Sequence, residues 1–135
     1  MRIQNEIIER QKQAEEDPSI DPLIIHAEGG TTNGTHVIEF KKGAFFGLRS
    51  IQPRVHKFKS YFQSPCTGVV DGLPHYLMGA SCPFSTVTKL ELPVFRPNEY
   101  FFEHHQREGE ERWQTYLRVV RDLISEVGEL PKSDL

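Results

Sequence analysis

The most regular hydrophobic pattern of the chain lies near its C-terminus. From Glu110 to Val127 the apolar residues recur at spacings of three and four, which is the period of a helix that buries one face. Gly128 follows directly, and glycine is common just after a helix. The pattern therefore predicts an amphipathic helix that packs against the core through Trp113, Tyr116, Leu117, Val120, Leu123, Ile124 and Val127.

The N-terminal segment carries a second helical pattern, whose apolar stripe is narrow. Three isoleucines fall on one side of a predicted helix from Ile3 to Glu16, and charged residues cover the rest of it. Two prolines follow between Asp17 and Pro22, and each restricts the residue before it and removes a backbone donor. Residues 1–21 are therefore predicted to form a charged helix and a Pro-rich linker.

Three further segments are predicted to be strands. Leu23 to His26 is a short apolar run without alternation, typical of a strand buried on both faces of a mostly parallel sheet. A second buried strand is predicted near Ser50 to Val55, and Thr86 to Phe95 alternates in the manner of a strand. Val69 to Ser85 is apolar but interrupted by Pro and Gly, which predicts a short helix within loops. Strands and helices in this order indicate an α/β domain.

Composition narrows the range of partners. A chain of 135 residues with 16 Lys and Arg against 19 Asp and Glu, net −3, forms one domain at most and lacks the basic excess of a nucleic-acid-binding protein. No apolar run reaches about 18 residues, so any membrane contact is predicted to be peripheral. Two cysteines and no signal-peptide pattern indicate a reducing, intracellular compartment. A metal site of Cys66, His75 and Cys82 is the alternative to free thiols, but the spacing matches no zinc template, so neither metal nor cofactor is predicted.

The loop after the first predicted strand carries the candidate chemistry. Its glycines allow a ligand to approach the backbone, and consecutive amides with hydroxyl and amide side chains form a donor set for an anion such as a lipid phosphate. Glu28 repels an anion unless it pairs with an Arg, accepts loop amides or fixes the loop shape. The competing interpretation is a plain strand-to-helix turn. The candidate phosphate-binding residues are Glu28, Gly29, Gly30, Thr31, Thr32, Asn33, Lys41 and Lys42.

The same loop resembles the Glu-Gly-Thr signature block of the glycerolipid acyltransferase family, most of all its lysophosphatidylcholine acyltransferase branch. The block here is Glu28-Gly29-Gly30-Thr31-Thr32-Asn33-Gly34, followed by Phe40 to Phe45, with Ala27 in place of the usual Pro and Gly30 in place of the usual Thr. Ser50 to Pro53 and Lys89 to Phe95 resemble later blocks of the family. The resemblance implies that residues 22–128 are the C-terminal half of a three-layer acyltransferase domain with a partly parallel sheet and flanking helices, and that residues 129–135 are a tail.

The family's chemistry rests on a His-x-x-x-x-Asp block upstream of this loop, where the His deprotonates the lysolipid hydroxyl for attack on acyl-CoA. Among the 27 residues before Glu28 the one histidine is His26, and the family's Arg block is missing as well. His105 and Glu110 have a similar spacing, but they lie on the wrong side of the loop and are interpreted as a coincidence. The resemblance therefore implies no catalytic residues in this chain.

Three functional hypotheses follow. The first is a noncatalytic structural or lipid-headgroup-binding subunit, a pseudoenzyme in a larger membrane-associated assembly, whose other protein subunits cover the open sheet edge. The second is one half of a split, active acyl-CoA-dependent lysophospholipid acyltransferase. The third is a fragment of a longer enzyme, against which Met1 favours a natural beginning. The expected ligand is a phospholipid or lysophospholipid, and the expected location is an internal membrane, mitochondrial inner or endoplasmic reticulum.

Overall fold

The computed structural model describes residues 2–30, 32, 34–61, 72–82 and 84–133. These residues form a small mixed α/β domain that contains four α-helices, one 3₁₀ turn and a two-stranded antiparallel sheet. In chain order the elements are α1 (Arg2–Glu16), the 3₁₀ turn (Lys42–Ala44), β1 (Arg54–Ser60), α2 (Gly72–Ala80), β2 (Ser85–Glu91), α3 (Glu99–His105) and α4 (Arg112–Gly128).

Helix α4 confirms the predicted C-terminal helix and organises the core, although Leu123 and Val127, predicted to pack against the core, are exposed. It begins with a reciprocal cap between Glu111 and Gln114, and it ends at Gly128, after which Glu129 takes a left-handed conformation. Tyr116 lies at the centre of the core with 0% of its surface exposed. Around it the buried cluster comprises Val37, Phe40, Ala44, Phe45, Phe101, Phe102 and Val120.

Helix α1 confirms the N-terminal prediction, including its end before the two prolines. Because its apolar stripe is narrow, polar contacts hold it to the domain. Glu15 accepts the main-chain amide of Ser50 over 3.1 Å and the Ser50 hydroxyl, and it pairs with Arg49 over 3.2 Å. These contacts, led by the Ser50 hydroxyl, lower the pKa of Glu15. Gln11 also donates to the carbonyl of Ala44 over 3.2 Å.

The predicted strand at Leu23 to His26 is wrong, because these residues have no regular secondary structure. Ile24 is 77% exposed, and a strand buried on both faces needs a neighbour along each edge. In the described part of the chain the sheet is β1 with β2, paired from Arg54 with Glu91 to Ser60 with Ser85. Both strands overlap their predicted ranges, although β1 begins later, after Pro53. The prediction that β1 is a buried strand is wrong, since Val55 is its one buried residue.

Helix α2 confirms the short helix that was predicted between Val69 and Ser85. In the described residues no helix is both long enough and apolar enough to cross a bilayer.

Candidate phosphate-binding loop

The loop from Ala27 to Lys41 is closed by its own hydrogen bonds. The amide of Lys41 donates to the carbonyl of Ala27 over 2.7 Å, which brings the two ends of the loop together. Inside this closure, the amide of Ile38 donates to the Glu28 carboxylate over 3.2 Å. Of the roles considered for Glu28, the structure therefore supports acceptance of a loop amide, which also fixes the loop shape.

Gly29 and Lys41 are brought together at the neck of this loop. Gly29 has a φ of +72°, in the left-handed region that favours glycine, and its amide donates to the carbonyl of His26 over 3.0 Å. A β-carbon built on Gly29 lies 3.2 Å from the Lys41 Cγ, so the stem of this lysine passes directly over the glycine backbone. The sequence analysis named both residues as candidates for one site. The structure places them side by side, and their role in binding stays a prediction.

The rest of the loop is more open. Gly34 has a φ of +74°, and its amide donates to the Thr32 hydroxyl over 3.3 Å. Among the described residues, nothing lies within 4 Å of a β-carbon built on Gly30, so they leave the backbone open at that point. Thr31 and Asn33, also predicted to bind the anion, lie outside the described residues.

The two candidate lysines point to different surroundings. The ammonium of Lys42 lies 6.0 Å from the ring centre of Phe46, whereas the Lys41 stem covers Gly29. Both lysines are exposed, so neither is buried in an ion pair. Of the two lysines, Lys41 is the one shown in contact with the loop, and a role in anion binding stays a prediction for both.

Sequence reasoning missed how the far end of the loop is anchored. The amide of Val37 donates to the carbonyl of Pro131 over 2.9 Å, and the amide of Ser133 donates back to Val37 over 3.0 Å. The Arg121 guanidinium bridges the same two segments by donating to the carbonyls of Val37, over 3.1 Å, and Ser133. The one signal for this anchor in the sequence was Arg121, a polar residue on the inner side of α4.

The pair His105 and Glu110 does not form a catalytic dyad. Glu110 accepts from the Arg118 guanidinium over 2.7 Å and from the Thr115 hydroxyl over 2.9 Å, while the His105 ring packs against Phe101 at 5.1 Å between ring centres. These bonds, chiefly that from Arg118, lower the pKa of Glu110 to about 2. Glu110 is a structural ion-pair residue.

No metal site was predicted at Cys66, His75 and Cys82, and the structure describes only one of the two cysteines. Cys66 lies outside the described residues, and Cys82 is a free thiol 3.5 Å from the Ser60 hydroxyl. Within the residues that the structure describes, no group of three His, Cys, Asp or Glu side chains is arranged to hold a metal ion.

One known protein is similar to nearly the whole chain. It is the lysophospholipid acyltransferase LPEAT1 of Arabidopsis thaliana, with 27% identity over 127 residues, which is 94% of this chain. The chain is acyltransferase-like. It spans 30% of the relative's length, and the lysophosphatidylcholine branch stays a prediction. No family model and no solved structure matches the chain.

Proposed function

We propose that this chain is the headgroup-binding part of a lysophospholipid-acyltransferase-like domain and that it carries out no acyl transfer by itself. The observation that carries the proposal is the meeting of Gly29 and Lys41 in a closed loop, with the Lys41 stem over the glycine backbone. On this proposal the Lys41 ammonium and the backbone near Gly29 and Gly30 contact the same phosphate. The similarity to a named lysophospholipid acyltransferase supports the choice of ligand class.

Binding at such a site is expected to be weak. Hydrogen bonds to a charged group contribute about 1.5–3 kcal/mol each, and exposure of the lysines reduces their share through solvent screening. Two or three such bonds suit a headgroup that is held mainly by the rest of its lipid. The loop is therefore proposed to orient a lysophospholipid or phospholipid rather than to capture free phosphate tightly.

We further propose that the segment from Leu23 to Ile25, of which Leu23 and Ile24 are exposed, is covered by residues outside the described part of the chain, either in another subunit or in a longer chain. Ile24 is an aliphatic side chain left largely in solvent, although its segment has the composition of a buried strand. Pairing there would turn this segment into a strand and generate the three-layer, partly parallel sheet of the family. The setting remains an internal membrane, mitochondrial or endoplasmic reticulum.

The second candidate function is a contribution to an active, acyl-CoA-dependent acyltransferase whose catalytic His and Asp come from outside this chain. The name of the relative favours it. In that case the same loop holds the phosphate of the acceptor lipid. The two candidate functions then differ only in whether catalytic residues from outside this chain join the loop.

The test is a titration of the purified chain with glycerol 3-phosphate, in which the NMR shifts of the backbone amides are measured. Gly30→Val is the sharpest variant, because the structure has room for the side chain and the fold should be kept. We expect the amide signals of Gly29 and Lys41 to shift. The affinity for glycerol 3-phosphate should be several-fold weaker in Gly30→Val and in Lys41→Ala.

The matched control is Gly43→Val, at another glycine whose β-carbon meets nothing within 4 Å. The proposal fails if Gly30→Val and Lys41→Ala bind as well as the unmodified chain does, or if the shifts avoid the loop altogether. The loop would then be a turn and not a binding site.

A further inference from the structure

The strands and helix between Arg54 and Glu91 expose a large set of apolar side chains. We call residues 54–61 and 72–91, apart from the undescribed Pro83, the apolar arm. Its base is fixed to the domain, since Val55 is buried and β1 packs against α4. Toward its tip the side chains are exposed. The exposed apolar residues of the arm are Phe58, Tyr61, Leu73, Tyr76, Leu77, Met78, Phe84 and Val87.

Helix α2 is the least protected element of the arm. It contains no charged residue, and none of its residues is buried in the described structure. Leu73 and Tyr76 are each 71% exposed. A helix that is apolar around most of its circumference is normally covered, and a patch of this extent on a soluble surface marks a site of interaction.

The helix is held at the tip of the arm. Cys82, just after α2, has its thiol 3.5 Å from the hydroxyl of Ser60, the last residue of β1. Phe58 and Val87 form a cross-strand pair below that point, both more than half exposed. Both α2 and the sheet of β1 with β2 therefore expose apolar side chains in the arm, and the contact of Cys82 with Ser60 joins the end of α2 to the end of β1.

Charge tells which partner this surface fits. Residues 54–91 contain four Lys and Arg against two Asp and Glu, net +2, whereas the whole chain carries −3, which leaves −5 for the remainder. Near the tip, Lys57 and Lys59 lie opposite Thr88 and Thr86, so no cross-strand acid neutralises them. The ammonium of Lys59 lies 5.3 Å from the ring centre of Tyr61.

We propose that the apolar arm inserts its tip into the surface of an anionic membrane. Apolar and tyrosine side chains at the tip enter the boundary between headgroups and acyl chains, while the flanking lysines meet anionic headgroups. The acidic remainder of the protein stays away from the bilayer. This inference concerns a surface separate from the Gly29 loop and does not depend on the function proposed for it.

The experiment is flotation of the full chain with vesicles of phosphatidylcholine alone and of phosphatidylcholine mixed with phosphatidylserine. We expect binding to the mixed vesicles. Leu77→Asp should weaken it roughly ten-fold, because a carboxylate must then leave water at the tip. Each lysine near an anionic surface contributes roughly five-fold, so Lys57→Glu with Lys59→Glu should reduce binding to the level of neutral vesicles.

Two controls separate insertion from general effects. Ile3→Asp replaces an apolar side chain outside the arm that is more exposed than Leu77. Arg10→Glu reverses an exposed positive charge outside the arm, and both variants should bind as the unmodified chain does.

Equal flotation of Leu77→Asp and Ile3→Asp would overturn the proposal. So would a concentration-dependent dimer in sedimentation that Leu77→Asp dissociates, since the arm would then be covered by a second copy of the chain.

Discussion

The Glu28 carboxylate accepts the amide of Ile38, ten residues further along the chain, over 3.2 Å. This contact places an acid at the entrance of a loop that is proposed to bind an anion. The carboxylate braces the loop through its acceptor oxygen, whereas its charge disfavours the ligand. The two effects can be separated by substitution.

Glu28→Gln keeps an acceptor oxygen and removes the charge. We expect unchanged stability and a several-fold gain in glycerol 3-phosphate affinity, measured by NMR titration. Glu28→Ala removes the acceptor as well and should lower the free energy of unfolding by about 1 kcal/mol. If Gln and Ala destabilise the chain equally, the contact with Ile38 does not brace the loop.

The pair Glu110 and Arg118 should make stability depend on acid pH. The pKa of Glu110 falls from 4.5 to about 2 on folding, so its contribution is complete above pH 4.5 and is lost as the pH falls toward 2. Because Arg118 stays protonated throughout, the change enters through Glu110 alone. After allowance for solvent screening we expect a loss on the order of 1–2 kcal/mol from this pair.

The measurement is urea unfolding between pH 5 and about 2 for the unmodified chain and Glu110→Gln. The variant should be less stable at pH 5 and should lose less stability on acidification. Glu108→Gln, at an exposed neighbouring acid, is the matched control and should follow the unmodified chain. Parallel pH profiles for all three proteins would show that Glu110 is not the titrating group.

The buried hydroxyl of Tyr116 should contribute to stability by joining two loops to α4. It lies 3.0 Å from the carbonyl of Arg49 and 3.3 Å from that of Phe95, and it donates to both. Tyr116→Phe removes the donor to the Arg49 carbonyl, while the Phe95 carbonyl keeps the amide of Ile51 over 3.0 Å, and the change should cost about 1–3 kcal/mol in chemical unfolding. Tyr100→Phe, at an exposed tyrosine, should change stability little. Equal losses in both variants would contradict the assignment.

The proposed headgroup-binding role predicts that the isolated chain carries out no acyl transfer. Purified protein given acyl-CoA and lysophospholipid should show no product above background, because loss of a general base alone lowers rates by about 10²–10⁴. Product formation by thin-layer chromatography of labelled lipid is the readout. Turnover that disappears in His105→Ala would restore that histidine as a catalytic residue.

The sequence predicted what local spacing determines. The three- and four-residue spacing around Tyr116 predicted α4, and the left-handed glycines Gly29 and Gly34 lie in the predicted turn-rich loop. The strand at Leu23 to His26 was wrong because an apolar run does not specify its neighbour in a sheet. The contact between Arg121 and Val37 joins residues 84 positions apart, and no local pattern encodes such a pairing.

The two hydrogen bonds between Val37 and the segment from Pro131 to Ser133 tie the candidate loop to the last described residues of the chain. A force on that segment, from a fused tag or from a neighbouring polypeptide, acts on Val37 through these bonds. From Val37 it reaches Ile38, the next residue, and Glu28, which accepts the Ile38 amide. The loop is therefore mechanically coupled to whatever is attached beyond Ser133, and a purification tag is better placed at the other terminus.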